Sequence, residues 1–350
     1  MALRGEQGIE RPLMQLITLF QVSMILQSFL AFRSAASFTA HGRFGKGIPL
    51  TRHHQIRHLN RFLFDPEEVL VDDNATKKYV TLSKDDYRTI HASKILGLHN
   101  GDTLRAGVVG CSDLNGTGSG GYLTDHAVVE WIPEGKVKKA EPLGNGNPPG
   151  SLRIELSDLS PCPDSQVPTV ALLLALPRPL QLGRMLPMIA QMGVSHLILS
   201  QAKKVPKDYF GSHLFRKPHL LRERLIEGLC QAGDVRLPNI TIVKNLKHFL
   251  AEDIDEMFPL TDYARVIAHP QRKEDDEIRR MRNVEFPTST TTTPRILMAV
   301  GPEGGWEEPE ELDRFQELGF QQITMGNRVL RSDCAVVSLL ALAHDACSND

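Results

Sequence analysis

AVGPEGGWEEPEEL, residues 299–312, decides how this chain is read. The apolar run leading into it breaks at Gly301-Pro302, passes Glu303 and two glycines, and restarts on glutamates. Glycine reaches backbone angles closed to other residues and lets a ligand come close to the main chain. Pro309 and the acids around it suit a helix's first turn, where proline costs little and negative charge meets the helix dipole. The stretch therefore reads as strand, turn and helix, with bare backbone at the strand's carboxyl end. In open α/β sheets that crevice is the usual ligand site. An ordinary tight turn is the other reading this stretch allows by itself.

Moving outward, the same grammar repeats across residues 168–348. TVALLLAL, SHLILSQA, ITIVKN, ARVIAHP, ILMAVGP and QQITMG read as six strands. Helices fall between them: LQLGRMLPMIAQMG closed by Gly193, KPHLLRERLIEGLCQAGD, LKHFLAEDIDEMF, and the one that ends at Gly319. Ser332 is placed to cap a final helix, DCAVVSLLALAHDAC. Apolar strands alternating with helices predict an α/β domain, a mostly parallel sheet covered on both faces. Residues 271–294, mixed in charge and then Thr-rich, read as a flexible insertion.

Residues 56–160 follow a different pattern. KYVTL, TLRAGVVG, HAVVEWI and SLRIEL alternate as strands. Between them Ser83 and Asp86 form a capping box ahead of the helix DYRTIHASKILGL, and Asn100-Gly101 makes a turn. A small β-barrel is expected, joined to the next domain by the proline-rich PCPDSQVP. Gly116, Gly118 and Gly121 satisfy the dinucleotide pattern GxGxxG, but a strand-like YLTDHAVVEW follows where that motif needs a helix, so a hairpin loop is the better reading.

With 350 residues and 41% hydrophobic content, the chain can bury the cores of two domains. Its net charge of −2 is uneven: residues 1–64 hold eight Lys/Arg against Glu6 and Glu10, a balance of +6, leaving the remainder near −8. Any nucleic acid must then be held by a local basic patch. Five scattered cysteines without a CxxC pair argue against a zinc site or disulfide framework. Residues 1–55 read as a targeting or disordered extension: Arg11 precedes LMQLITLFQVSMILQSFLAF, whose five glutamines and serines make a poor membrane span but an acceptable signal core. The Ala-Ser-Phe step after it resembles the bipartite signals of algal complex plastids. The expected location is an organelle, plastid before mitochondrion, with cytoplasm as the alternative and no stable membrane association after processing.

A second glycine turn, Met325-Gly326-Asn327-Arg328-Val329-Leu330-Arg331, leads straight into a helix. With His269-Pro270 and the first turn, three strand ends would line a pocket of backbone amides and carbonyls. Such a pocket suits adenine and a short amino-acid tail, and with no GxxxxGK[ST] present it suits triphosphate poorly.

GPEGGW, MGNRVLRSD and the helix from Cys334 resemble the C-terminal signature of the bacterial small-subunit rRNA uridine-N3 methyltransferases of the SPOUT class. HLNRFLF and IHASKILGLHNGDTLRAG resemble that family's PUA-like RNA-binding barrel, and LALPRPLQLGRMLPMIAQMGV with CQAGDVRLPNITI its opening strand–helix units. The resemblance spans about residues 57–345. It implies a trefoil-knotted parallel-sheet methyltransferase domain behind a PUA-like barrel, a homodimer, and S-adenosyl-L-methionine as cofactor. It further implies that Leu199, His269, Gly301, Gly304, Met325, Gly326 and Leu330 line the cofactor pocket, with Arg331 beside cofactor and substrate. The chain departs from the family at Met188 and Gln191, where many members carry lysine and glutamate, and at Cys230-Gln231 and Asp234. Those departures keep a second reading open: a non-catalytic RNA-binding assembly factor of the small ribosomal subunit.

The implied chemistry makes its own demands. A sulfonium methyl is already electrophilic, so alignment supplies much of the rate, ~7–11 kcal/mol of barrier in favourable cases. Uridine N3 carries a weakly acidic proton, which calls for a base or a cation that stabilises the anion. Arg331 is the candidate cation and Asp333 the candidate proton acceptor; a surface arginine and a helix-start acid are the plain alternatives. For RNA, Lys203, Lys204, Lys207, Arg216, Lys217, Arg222 and Arg224 form a basic segment interleaved with Tyr209, Phe210 and His213, and Arg61 adds a cation on the barrel. A solvated helix face explains the same segment. His91, His99 and His344 lack metal-ligand spacing, so no metal is expected.

Overall fold

The computed structural model describes residues 60–72, 77–111, 120–133, 148–163, 167–270, 279–288 and 293–348. The targeting extension, Gly116 and Gly118, and residues 271–278 and 289–292 of the expected insertion lie outside the described residues. The described residues belong to one compact unit, Gln55–Asp350, which carries two large sheets. No helix among them is long and apolar enough to cross a membrane.

The first sheet is built from β1 (Phe62–Phe64), β2 (Leu70–Val71), β3 (Lys78–Leu82), β4 (Thr103–Val108), β6 (Tyr122–Pro133), β7 (Gly150–Glu155) and β8 (Ser160–Pro161). Its order is β1-β4-β6-β7-β3-β2, with β8 on β6; only β1 and β4 run parallel. Alternation buries Leu152 and Ile154 of β7 against Val80, Leu82, Leu104 and Trp131, while Arg153 and Glu155 face outward. YLTDHAVVEW is strand throughout, as its alternation required. Helix α1 (Tyr87–His91) starts on Asp86, whose side chain accepts from the Arg88 amide. The expected Ser83 box is corrected accordingly: Ser83 supplies only a carbonyl, to the Asp86 amide at 3.1 Å.

The second sheet has six strands: β9 (Val170–Ala175), β10 (His196–Ser200), β12 (Asn239–Val243), β13 (Tyr263–Ala268), β14 (Arg295–Val300) and β15 (Gln321–Ile323). All its pairings are parallel, in the order β12-β10-β9-β14-β13-β15. The four central strands are buried and mostly apolar, the composition of a sheet covered on both faces. Arg265 of β13 is buried with its guanidinium donating to the carbonyls of Phe258 and Leu318 and to Asp255. Helices α2 (Pro179–Met192), α3 (Pro218–Ala232), α4 (Glu310–Glu317) and α5 (Ser332–Cys347) connect and cover it. Gly228 of α3 lets that helix lie close to α2, since a Cβ there would overlap the Pro187 carbonyl. The final helix is uncapped by Ser332, against expectation: Ser332 is its first residue and Arg331 occupies the N-cap without a side-chain bond. Part of the expected flexible insertion is packed. Met281 and Val284 are buried, and Arg279 extends the sheet through a bridge to Ile323.

The two sheets are stitched by a short parallel ladder of β5 (Gly110–Cys111) with β11 (Arg236–Leu237). Arg61 sits at this seam. Its side chain is 3% exposed and donates to the carbonyls of Gly233, Ala106 and Thr124 and to Asp125. Every one of these is an internal partner, so Arg61, expected as an RNA contact, is built into the seam. Burial acts first on this guanidinium and lowers its pKa, while Asp125 offsets part of that cost.

Candidate active site

The sheet order places the site. From β9 the chain moves to β10 and β12 on one side, then crosses to β13, β14 and β15 on the other. The reversal falls between β9 and β14, and ligands bind outside the carboxyl ends of strands at such a switch point. The loops that follow β13, β14 and β15 are neighbours there because their strands are parallel neighbours.

The turn after β14 is held from several sides. Gly305 takes φ +70°, the left-handed region that favours glycine, and its amide donates to the Pro302 carbonyl at 2.8 Å. Gly304 lies outside that region; a Cβ there would meet only the Lys204 chain, at 3.4 Å. A Cβ on Gly301 would press on the Trp306 ring at 3.1–3.3 Å. Trp306 is buried against Phe315, with ring centroids 4.8 Å apart, and its Nε1 finds no hydrogen-bond partner among the described residues. The bare face of Gly301 is therefore demanded by an indole the sequence reading did not single out.

His269, also buried, leaves β13 beside this turn. Its Nε2 lies 3.0 Å from Glu308 Oε1, and its Cε1 is 3.7 Å from the Cβ position of Gly305. After β15 the chain folds on Thr324, whose hydroxyl accepts from the Gly326 amide at 3.2 Å; Gly326 has φ +133°. Met325 packs against the core, while Val329 and Leu330 are exposed. Leu199 is fully buried inside β10, in register with Leu174 and Ile242, one residue short of the strand's end.

Lys204 is exposed, but its amine is tied to the glycine turn. Its amine donates to the carbonyl of Trp306 at 3.0 Å and to that of Gly304 at 3.4 Å, and lies 3.6 Å from Glu307. The Lys203 amide donates to Glu311, which also accepts from the Glu307 amide. The segment after β10 is thereby strapped to the glycine turn. Lys203 and Lys207 keep exposed side chains. Elsewhere in the basic segment Arg222 pairs with Asp65 across the two sheets, Arg224 with Glu227 at 3.0 Å, and Arg216 donates to the Gly211 carbonyl. Much of that charge is spent on structure.

Two arginines rim the crevice. Arg331, 73% exposed, lies 3.2 Å from Asp333 and 3.5 Å from Gln181 of α2. Arg178, between Pro177 and Pro179, reaches Glu303 of the glycine turn at 3.3 Å. Burial alone would push the Asp333 carboxyl up, but the Cys334 amide, Gln181 and Arg331 together hold it below the usual carboxylate range. Among the described residues no group of three or more His, Cys, Asp or Glu can hold a metal ion. The Cys230 thiol, pushed by burial up to about 11, is not a nucleophile at neutral pH.

Known proteins arrange the same framework. A family model described as an RNA methyltransferase domain matches residues 163–344, just over half of the chain. A ribosomal RNA small subunit methyltransferase E from Treponema pallidum is 26% identical over 82% of this chain and 92% of its own length. Among solved structures, a methyltransferase of that name from Neisseria gonorrhoeae, bound to S-adenosyl methionine, superposes with a TM-score of 0.53 at 17% identity, over 82% of this chain and 98% of its own. A probable rRNA-methyltransferase from Porphyromonas gingivalis gives 0.54 at 16%, over 81% and 98%. These likenesses carry the fold, and the match across residues 163–344 carries the family: the chain belongs to the RNA methyltransferase domain family.

Proposed function

We propose that this protein transfers the methyl group of S-adenosylmethionine to N3 of a uridine in small-subunit rRNA. The observation that carries the reading is the convergence of three loops, after β13, β14 and β15, at the switch point of a wholly parallel sheet. Nearby relatives named for small-subunit rRNA methylation support the substrate class.

In this reading the cofactor lies against the glycine turns. His269, Gly301, Gly304, Met325, Gly326 and Leu330 line it, and Leu199 contributes from within β10 as a floor. Bound there, the cofactor supplies an electrophilic methyl, and the chain's own residues orient it and exclude water. Arg331 stabilises negative charge as uridine N3 loses its proton to solvent. Asp333 is poorly suited to take that proton, because a carboxylate held below its ordinary pKa is a weak base; its role here is to aim Arg331. Lys203 and Lys207 are placed to meet RNA phosphates, whereas Lys204 shapes the cofactor turn.

The same reading extends to the first sheet as a PUA-like RNA-binding barrel, to a trefoil knot formed as the chain passes from β15 into α5, and to a homodimer. The exposed Leu180, Val329, Leu330 and Leu342 support the dimer. Location in an organelle, plastid before mitochondrion, rests on residues 1–55. Calorimetry of S-adenosylmethionine against the purified full-length chain tests the cofactor assignment: saturable one-site binding is expected, and absence of binding would leave only the RNA-binding assembly factor.

A further inference from the structure

The two rim arginines break the same local rules. Arg178 and Arg331 are the N-caps of α2 and α5, in extended backbone with ψ of 140° and 151°, and neither makes a side-chain cap bond. N-caps favour Ser, Thr, Asp and Asn, and a cation at a helix N-terminus opposes the helix dipole. Local rules broken without a structural return mark functional positions. The helix starts do not explain these residues, but the crevice does.

Arg178 is the one the methyl-transfer reading leaves unused. Pro179 restricts the backbone of Arg178 to the extended region, so the guanidinium starts from a main chain with little freedom left. It stands at the carboxyl end of β9 and reaches across the switch point to Glu303 in the turn after β14. Both partners are well exposed, at 70% and 48%. An exposed pair of this kind contributes little to stability, and it leaves the guanidinium open to exchange with another anion.

We infer that Arg178 is a substrate-binding residue that takes a backbone phosphate of the RNA beside the target nucleotide, with the Glu303 carboxylate occupying the same guanidinium until the RNA displaces it. Planar, bidentate recognition favours arginine for this exchange of one oxyanion for another. The inference rests on the methyl-transfer reading for the identity of the RNA. It assigns a separate step: Arg331 acts at the base, Arg178 at the backbone.

The test uses the full-length protein and an unmodified small-subunit rRNA transcript, with RNA affinity measured over a series of salt concentrations and S-adenosylmethionine affinity measured in parallel. Arg178→Ala is expected to weaken RNA binding about tenfold, the size of one charge-assisted contact, and to flatten the salt dependence by about one phosphate. S-adenosylmethionine affinity should stay at the wild-type value, and Arg178→Lys should recover part of the loss. Glu303→Gln is the opposing variant. It removes the competing carboxylate, so RNA binding should tighten. The inference is overturned if Arg178→Ala leaves RNA affinity and its salt slope unchanged, or if Glu303→Gln weakens RNA binding as Arg178→Ala does, which would make the pair a strap between loops. Wild-type protein that binds the transcript but transfers no methyl would overturn the proposed function instead, and leave this inference standing on its binding data.

Discussion

At the scale of single residues, the glycine turn separates into positions that need glycine and one that tolerates more. Gly305 needs it for its backbone: an alanine at φ +70° costs about 1 kcal/mol or more. Gly304 needs it only for access, since its nearest neighbour is a flexible lysine chain. Gly305→Ala is therefore expected to lower the melting temperature by a few degrees and Gly304→Ala to leave it nearly unchanged, as differential scanning calorimetry would read. The sequence exposed the glycines but not which of them carries the unusual angle, because adjacent glycines look alike until a carbonyl such as that of Pro302 fixes one. Arg331 and Asp333 separate in a similar way. Arg331→Ala should cut turnover by about 10²–10³, as for the loss of one group that stabilises developing charge. Asp333→Asn should cost far less, and the pH–rate profile should keep its acid limb. A loss matching that of Arg331→Ala, with the acid limb abolished, would restore Asp333 as the base.

At the scale of elements, the alternation of strand and helix was legible because fully buried parallel strands are long apolar runs and their helices end on glycines. Element starts were less so. Ser83 and Asp86 are both acceptable caps by type, and the choice fell to Asp86, which also binds Arg88 at 2.9 Å. The contact between Lys204 and the turn after β14 was invisible, because a hundred residues separate the partners and a lysine among lysines reads as a phosphate contact. Its consequence is specific. Lys204→Ala should weaken S-adenosylmethionine binding several-fold by loosening the turn, with a smaller effect on RNA; Lys203→Ala should weaken RNA binding and leave the cofactor alone. Paired binding measurements check this, and equal effects of both variants on RNA would return Lys204 to the basic patch.

At the scale of the whole molecule, the seam between the two sheets and the closure of α5 decide stability. Charge counting placed Arg61 on a surface; its burial arises only because Gly233 ends α3 beside the first sheet and offers its carbonyl. His344 of α5 is half-buried with its Nε2 2.8 Å from the Gly193 carbonyl, and desolvation lowers its pKa below the ordinary imidazole value. The unfolded chain then takes up the proton first, so this group's contribution to stability is complete above about pH 6.5 and is lost as pH falls toward the folded pKa. Denaturant unfolding of the wild type should weaken across that window more steeply than that of His344→Gln, and identical slopes would remove the histidine from the balance.

The central claim is that the crevice between β9 and β14 directs a methyl group to N3 of uridine. Its most direct test is nucleoside mass spectrometry of an unmodified small-subunit rRNA transcript after incubation with the full-length protein and isotopically labelled S-adenosylmethionine. The account predicts labelled N3-methyluridine, at near one per transcript, formed about 10²–10³ more slowly with Arg331→Ala. Labelled methyl on any other nucleoside, or none at all from protein that binds both cofactor and RNA, would contradict it.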